Sequence, residues 1–205
     1  EELSTLNDNR MEVAFKKGEI IYKQGTPLTH IVIIHTGIGK IYIEHKNGKN
    51  LILSFTNQNY LNGGIGVFLD QRHHSTLMAL TDCTACFIEI NDFNTVFQNN
   101  PKFMTAYLEE YSKKVKHVYD QFSLLTQKNM EGRIAESILY LKDQVFMKGS
   151  ILNLPNQDFA DLTAMTKESA IRVLKQFKTD GLIEIENHVI KVLNQKSLEQ
   201  IALHA

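Results

Sequence analysis

Short runs of alternating apolar and polar residues fill the chain from about residue 14 to residue 92. Asn47-Gly48 separates two of these runs and is a strong hairpin signal, because both residues tolerate the positive φ angles of a tight turn. Many short strands joined by glycine turns are typical of a barrel or a sandwich. The pattern predicts an N-terminal β domain with strands at Glu19–Lys23, His30–Thr36, Lys40–His45, Asn50–Phe55 and Thr76–Ile90.

The apolar spacing then becomes helical, starting near Pro101, a residue suited to the first turn of a helix. Apolar side chains follow in steps of four and three, which predicts a helix over about residues 101–128, about 40 Å long. Heptad spacing favours a second copy of the chain as the partner of this seam over burial against its own barrel. Phe103 and Tyr107 lie beside the seam, facing the barrel instead. From Met104 onward, the seam predicts a dimer interface made by Leu108, Tyr111, Val115, Val118, Phe122 and Leu125.

The remainder of the chain predicts a winged helix-turn-helix. An amphipathic helix at residues 133–141 leads into a first helix, for which Asn156 is the expected N-cap. Thr163-Ala164-Met165 has the length of the turn, and Thr166 is the expected cap of the second helix. Asp180-Gly181 ends that helix, and residues 182–193 alternate around Asn187-His188, which predicts a two-stranded wing.

The second helix separates its polar and apolar residues sharply. At about 100° per residue, its apolar side chains fill the arc opposite to its polar ones. A rod that presents cations, a carboxylate, an amide and hydroxyls fits the DNA major groove, where such groups contact base edges. The alternative is a winged helix that packs only against protein. The polar arc, roughly 120° wide, holds Glu168, Ser169, Arg172, Lys175, Gln176 and Thr179, opposite Ala170, Val173, Leu174 and Phe177.

Composition narrows the class of protein. Hydrophobic residues make up 43% and charged residues 22% of the chain, with a net charge of −1, so any basic DNA-binding surface must be local. No apolar run approaches the roughly 20 residues of a membrane span, and no signal peptide is visible, which predicts a cytoplasmic protein. Cys83 and Cys86 form a C-x-x-C in an apparent strand, where residues three apart face opposite sides. Without a second pair for zinc, they are predicted to be small buried thiols, and no metal site is expected.

Several motifs in this order resemble the cyclic-AMP receptor protein/FNR family of bacterial transcription regulators, over nearly the whole chain. Phe15–Gly25 resembles the family's F-x-x-G-E-x-I-x-x-x-G, and Glu168-Ser169-x-x-Arg172 resembles its E-[ST]-x-x-R. The resemblance implies an α+β fold with an N-terminal double-stranded β-roll, jelly-roll-like and of the cyclic-nucleotide-binding type, and a long dimerisation helix. A C-terminal winged helix-turn-helix follows. The implied domains are residues 1–128, with the helix at about 101–128, and residues 129–205.

The resemblance also implies roles on the second helix. Arg172 would donate to guanine, and Glu168 would accept from cytosine or hold Arg172 in place. Ser169 would contact phosphate or a base edge, while Lys167 and Lys175 would contact phosphates. Ile171 departs from the small or polar residue of several relatives, so it would contact a thymine methyl or pack back on the scaffold.

The implied partners are double-stranded DNA and a second copy of the chain, bound to palindromic half-sites about 34 Å apart. RNA polymerase is a further partner that the family implies, on a surface that the sequence does not define. Occupancy of the roll would act through the long helix and a hinge at residues 127–130 to set the spacing of the two DNA-binding helices.

The effector motif is degenerate. Cyclic-nucleotide binders of the family carry a Gly-Glu pair for the ribose and an Arg followed by Ser or Thr for the phosphate. Gly64 stands in place of that Glu and His74 in place of that Arg, whereas Gly63, Gly66 and Ser75 match. Without the fixed cation, the roll is expected not to bind cyclic AMP in the usual way. It would bind a different small-molecule effector, or none, and no cofactor is expected.

The sequence favours no other sensing chemistry or enzyme class. The oxygen-sensing branch of the family uses an N-terminal cysteine cluster, whereas both cysteines here lie mid-chain. His73 and His74 fall where haem ligands could lie, but adjacent loop histidines are more often solvated. A cupin-type metalloenzyme would need His and Glu ligands at barrel spacing, and His30 and His35 are five residues apart. Because no such ligand set is present in the sequence, the chain is expected not to be an enzyme. A regulatory module that acts on a protein partner is also less favoured, because it would need no helix-turn-helix.

Overall fold

The structure, a computed structural model, describes residues 10–46, 48–57, 60–146, 151–186 and 189–204, without the side chains of Ile151–Asn153. The chain divides into two compact units. The first runs to Val118 apart from residues 49–52, and the second holds that segment and the chain from Tyr119 onward. Among the described residues, no helix is both long and apolar enough to cross a membrane.

The strands before the long helix form two four-stranded sheets, in the orders β1-β8-β3-β6 and β2-β7-β4-β5. Val32, Ile34 and Ala85 of the first sheet and Leu77 of the second are almost fully buried in one cluster. The two sheets therefore face each other across an apolar core, as in the predicted β-roll. The strands are β1 Met11–Phe15, β2 Ile20–Tyr22, β3 His30–Thr36, β4 Gly39–Glu44, β5 Asn50–Thr56, β6 Leu61–Asn62, β7 Thr76–Ala79 and β8 Cys83–Glu89.

The prediction of one strand over Thr76–Ile90 is wrong, because β7 and β8 belong to different sheets. Between them the chain turns over Gly37. At φ +84°, a Cβ on this glycine would lie 2.3 Å from the Asp82 carbonyl oxygen. Only glycine fits so close an approach. β1 and β6, which the pattern did not predict, lie at the two edges of the first sheet.

The prediction of buried thiols is confirmed, since Cys83 and Cys86 are free and buried. The Cys83 thiol donates to the carbonyl oxygens of Ile38 and Thr81, at 3.2 and 3.1 Å. Burial raises the pKa of both thiols, so they stay protonated and unreactive.

Three helices pack on the outer face of the roll: α1 Gly66–Leu69, α2 Ile90–Asn99 and α3 Pro101–Gln127. Their buried side chains, among them Phe93 and Tyr107, pack against Ile31 and Ile88. α3 agrees with the predicted long helix to within a residue, whereas α2 was not predicted. Phe103 and Tyr107 face the roll as expected.

The second unit surrounds α4, which packs against the three helices that follow it. The predicted hairpin is confirmed, since β10 and β11 pair antiparallel, and β9 adds a third strand that was not predicted, in the order β10-β11-β9. The turn at Asn187-His188 and residue Asn47 lie outside the described residues. The elements are α4 Met130–Tyr140, a π-helical turn Leu141–Val145, β9 Ile151–Asn153, α5 Asn156–Thr163, α6 Lys167–Thr179, β10 Ile183–Glu186, β11 Val189–Val192 and α7 Gln195–His204.

The N-cap of α5 is Pro155, and the predicted cap Asn156 is already the first helical residue. The Pro155 carbonyl accepts from the amides of Asp158 and Phe159, at 2.9 and 3.2 Å. Proline suits this position, because the first amides of a helix have no partner within the helix and its ring fixes φ.

Candidate nucleic-acid interface and effector pocket

α6 begins and ends as the sequence predicts. Thr166 caps it, since its hydroxyl oxygen accepts from the Ser169 amide at 3.2 Å. Gly181 follows the helix at φ +69°, the left-handed conformation that terminates helices. Between these ends the predicted apolar arc is entirely buried, at Ala170, Val173, Leu174 and Phe177.

The opposite face of α6 lies at the surface. Lys167, Glu168, Arg172 and Lys175 are exposed. Ser169 and Ile171 are half-buried, so each still presents part of its side chain. The predicted DNA-contacting residues thus share one helix that a buried core and a cap hold in place. With three cations and one carboxylate, this segment is locally basic although the chain is not.

Arg172 has a neighbour that sequence reasoning missed. Its guanidinium nitrogen donates to the thioether sulfur of Met130, at 3.8 Å. Met130 is the first residue of α4, next to the hinge. Within the described part of the chain, Arg172 makes this hydrogen bond rather than the expected pair with Glu168. A thioether is a weak acceptor, so the guanidinium stays available for a stronger one. Residues 42 positions apart carry no sequence signal for such a contact.

The predicted hinge is a short connection between two helices. α3 ends at Gln127 and α4 begins at Met130. The Asn129 side chain caps α4 by accepting from the Gly132 amide at 3.0 Å. Lys128 pairs with Glu136 at 2.5 Å, and its carbonyl accepts from Arg133 Nε at 3.0 Å. These bonds fix the hinge residues to the start of α4.

Close packing requires Gly63 and Gly66 in the glycine loop that leads into α1. A Cβ on Gly63 would lie 2.5 Å from Ile31 Cδ1, and one on Gly66 would lie 1.8 Å from the Arg72 carbonyl oxygen. Gly64 adopts φ +66° with open space around it. A side chain at Gly63 or Gly66 would therefore displace the loop.

Of the two adjacent histidines, both expected to be solvated, His73 is buried, whereas the predicted pocket residue His74 is exposed. His74 is exposed, and its Nε2 lies 2.9 Å from Asp70 Oδ1. The hydrogen bond from His74 is the main reason that the pKa of Asp70 is lowered. His73 stacks on Tyr22 with ring centroids 4.0 Å apart, and Ser75 hydrogen-bonds to the same tyrosine. Alternation would have placed His73 and Ser75 on the inward face with Leu77.

Arg72 and His74, the two side chains considered for a cyclic-nucleotide phosphate, are bonded to other groups. The phosphate would need a cation aimed at the glycine loop, but the Arg72 guanidinium donates to the Gly25 carbonyl oxygen at 2.9 Å. His74 is engaged by Asp70, and burial lowers the pKa of His73 to about 4, so His73 is neutral. Among the described residues, no group of three or more His, Cys, Asp or Glu side chains could hold a metal ion.

The predicted dimer seam is mostly open on α3. Leu108, Val118 and Phe122 are exposed, and Phe122 is 69% exposed. Val115 and Leu125 are half-buried. Tyr111 is half-buried because it packs against the outer core cluster of the roll.

Comparisons with known proteins agree with this architecture. A model described as cyclic nucleotide-binding domain matches residues 12–100, and one described as Crp-like helix-turn-helix domain matches residues 132–201. Electron transport regulator A of Shewanella oneidensis is 27% identical over 195 residues, covering 93% of this chain and 78% of that protein. The fumarate and nitrate reduction regulatory protein of Escherichia coli is 25% identical, covering 92% and 77%. The structure of FixK2 from Bradyrhizobium japonicum superposes with a TM-score of 0.84 at 20% identity, covering 96% and 98%.

Proposed function

Because the chain belongs to the CRP/FNR family of bacterial transcription regulators, we propose that it binds a palindromic DNA site as a homodimer, through α6. The family consists of DNA-binding regulators rather than enzymes. The observation that carries the proposal is the exposed polar face of α6, which a buried apolar face and the Thr166 cap hold in place. Since its target is chromosomal DNA, we place the protein in the cytoplasm.

Within the major groove, Arg172 donates to guanine O6 and N7, and Glu168 accepts from a cytosine amino group. Ser169 contacts phosphate or a base edge, and Ile171 uses its exposed part against a thymine methyl. Lys167 and Lys175 pair with phosphates, which adds affinity without sequence choice. Arg172 leaves Met130 on binding, because guanine acceptors are stronger than a thioether.

The homodimer forms along α3. Exposed apolar side chains in a heptad seam have no partner among the described contacts, and a second copy of α3 supplies one. The interface residues are Leu108, Val115, Val118, Phe122 and Leu125, with Tyr111 shared between the seam and the roll.

Control by a small-molecule effector other than cyclic AMP would act through the roll. The effector shifts the balance between two dimer states in which the hinge spaces the recognition helices differently. The candidate pocket lies at the loop of Gly63, Gly64 and Gly66 and at Ser75. His73 replaces His74 as its histidine. RNA polymerase is the further partner that promoter control requires.

The direct test is selection of random DNA by the purified, ligand-free protein, followed by sequencing of the bound pool. A regulator active without ligand enriches a palindrome with half-sites about 34 Å apart. Enrichment of half-sites without a palindrome would contradict the dimeric mode. If nothing is enriched, the selection is repeated with metabolite pools, and continued failure would overturn the proposal.

Two variants on α6 separate base recognition from phosphate binding. Arg172→Ala should cost about 1–3 kcal/mol of binding and relax the preference for guanine at one position. Lys175→Ala, the matched control on the same face, should weaken all sequences alike and lower the salt slope by about one. Both are measured by fluorescence anisotropy on the selected site at several salt concentrations. Equal, sequence-independent losses in both variants would contradict the assigned role of Arg172.

A further inference from the structure

An apolar patch on α1 lies open at the surface of the roll unit. Ile65, Phe68 and Leu69, which we call the α1 patch, are 50%, 57% and 68% exposed. Single exposed apolar residues are ordinary, but large ones grouped on one short segment mark an interaction site. The sequence pattern does not predict this patch, because residues 62–76 resemble an effector motif.

The α1 patch adjoins the seam of α3. The Phe68 ring contacts Tyr107 edge to face, with centroids 6.0 Å apart, and Phe97 at 4.9 Å. Tyr107 is buried and directly precedes Leu108, which is exposed. Met104, one turn earlier, is also exposed. Phe68 thus packs on α3 at Tyr107, a buried residue whose neighbours Met104 and Leu108 are exposed at the start of the seam.

We propose that the α1 patch docks on the second copy of this chain and extends the dimer interface beyond the α3 seam. The inference rests on the proposed homodimer and adds a second element to it. The contact of Phe68 with α3 selects this occupant, because it places the α1 patch beside the helix along which the proposed partner packs. The patch is also uncharged, as suits homodimer interfaces, which are more apolar than transient ones. In a two-fold dimer the contact occurs twice, so each substitution acts twice.

Through this contact, a movement of the roll would act directly on the second copy of the chain. α1 begins at Gly66, so the segment that touches the second copy continues from the loop of Gly63 and Gly64. The close packing of Gly63 and Gly66 leaves the loop little freedom to move alone. A shift of the loop therefore moves the α1 patch against the partner.

The test substitutes the patch without disturbing the core. Leu69→Glu and Ile65→Glu change exposed side chains, whereas Phe68 is left intact because its ring packs on Phe97 and Tyr107. Each variant should raise the dimer dissociation constant at least about tenfold in sedimentation equilibrium, since a carboxylate replaces a buried apolar contact. Leu203→Glu is the matched control, because Leu203 is 71% exposed on α7. Circular dichroism melts verify that each variant folds.

Alkylation supplies a measurement that does not depend on disrupting the interface. In Leu69→Cys the thiol should react more slowly as protein concentration drives dimerisation, whereas in Leu203→Cys it should not. If the wild type is monomeric throughout, the proposed homodimer fails, and this inference with it. If the wild type is dimeric while Leu69→Glu dimerises equally well and Leu69→Cys stays reactive, the inference alone fails.

Discussion

At the scale of single residues, His73 shows how neighbours in sequence acquire different chemistry. His73 is 6% exposed and stacks on Tyr22, whereas His74 lies at the surface beside Asp70. The Nδ1 atom of His73 is buried and has no hydrogen-bond partner within the described structure. A charge on this ring would therefore be unsolvated, and burial lowers its pKa from 6.5 to about 4.

Acid should destabilise the roll through His73. As the pH falls from 6.5 towards 4, the unfolded chain takes up the proton that the folded chain excludes, so the free energy of unfolding decreases over that window. Thermal melts across this range measure the effect. His73→Phe keeps a ring on Tyr22 but cannot titrate, so its melting temperature should depend less on pH. His74→Gln, the adjacent control, should keep the acid dependence of the wild type. The same acid dependence in His73→Phe would refute this assignment.

Arg172 and Met130 illustrate what a sequence does not reveal. Amphipathicity located Arg172 on the exposed face of α6, because burial of one face follows from helical periodicity. Its contact with Met130 depends on how α4 and α6 pack, which no local pattern encodes. Likewise, the degenerate motif indicates the loss of a phosphate-binding cation. The sequence does not reveal that the Arg72 guanidinium donates to the Gly25 carbonyl oxygen.

At the scale of helices and strands, α6 depends on its N-terminal cap. The Thr166 hydroxyl accepts from the Ser169 amide and also bonds the Ser169 hydroxyl, at 3.2 and 3.1 Å. The first turn, which carries Lys167 and Glu168, has few other restraints, because its amides have no partner within the helix.

Thr166→Ala should lower the stability of the folded chain by about 1 kcal/mol, because it removes this cap. Thr179→Ala is the matched control at the other end of α6, where the hydroxyl bonds only the preceding turn. Urea denaturation should show the loss in Thr166→Ala alone. DNA affinity should fall with it, since a frayed first turn must be ordered on binding. Equal stabilities of the two variants would contradict the role given to Thr166.

Elements with a strong local period were predictable from the sequence, and those defined by long-range pairing were not. β3 and α3 agree with prediction because β3 contains a continuous apolar run and α3 repeats its apolar residues at heptad spacing. β9 has three residues and exists by pairing with β11, so it carries no signal of its own. The single strand predicted over Thr76–Ile90 is too long, because the residues between β7 and β8 have the composition of a strand although the chain passes there from one sheet to the other. The α1 patch was missed because exposure cannot be inferred from a short irregular segment.

At the scale of the whole molecule, dimerisation through the α3 seam and DNA binding through α6 are expected to depend on each other. The proposed dimer through α3 would bring two copies of α6 together, and specificity for a palindrome would depend on their spacing. Any effector must therefore change that spacing by binding the two dimer states with different affinity. A ligand that does not bind the protein leaves that spacing unchanged.

Cyclic AMP is predicted not to bind the roll and therefore not to change the affinity for DNA. Among the described residues, the Arg72 guanidinium donates to the Gly25 carbonyl oxygen and His74 bonds Asp70, so neither is free to bind a phosphate at the glycine loop. Gly64 supplies no acceptor for the ribose, and its φ of +66° would strain a glutamate placed there. Calorimetry should detect no binding at micromolar cyclic AMP, and affinity for the selected DNA should be the same with and without it. A cyclic-AMP-activated relative, such as that of Salmonella typhimurium, is the positive control. Saturable binding together with tighter DNA association would show that another cation reaches the phosphate, and would return the roll to cyclic-nucleotide control.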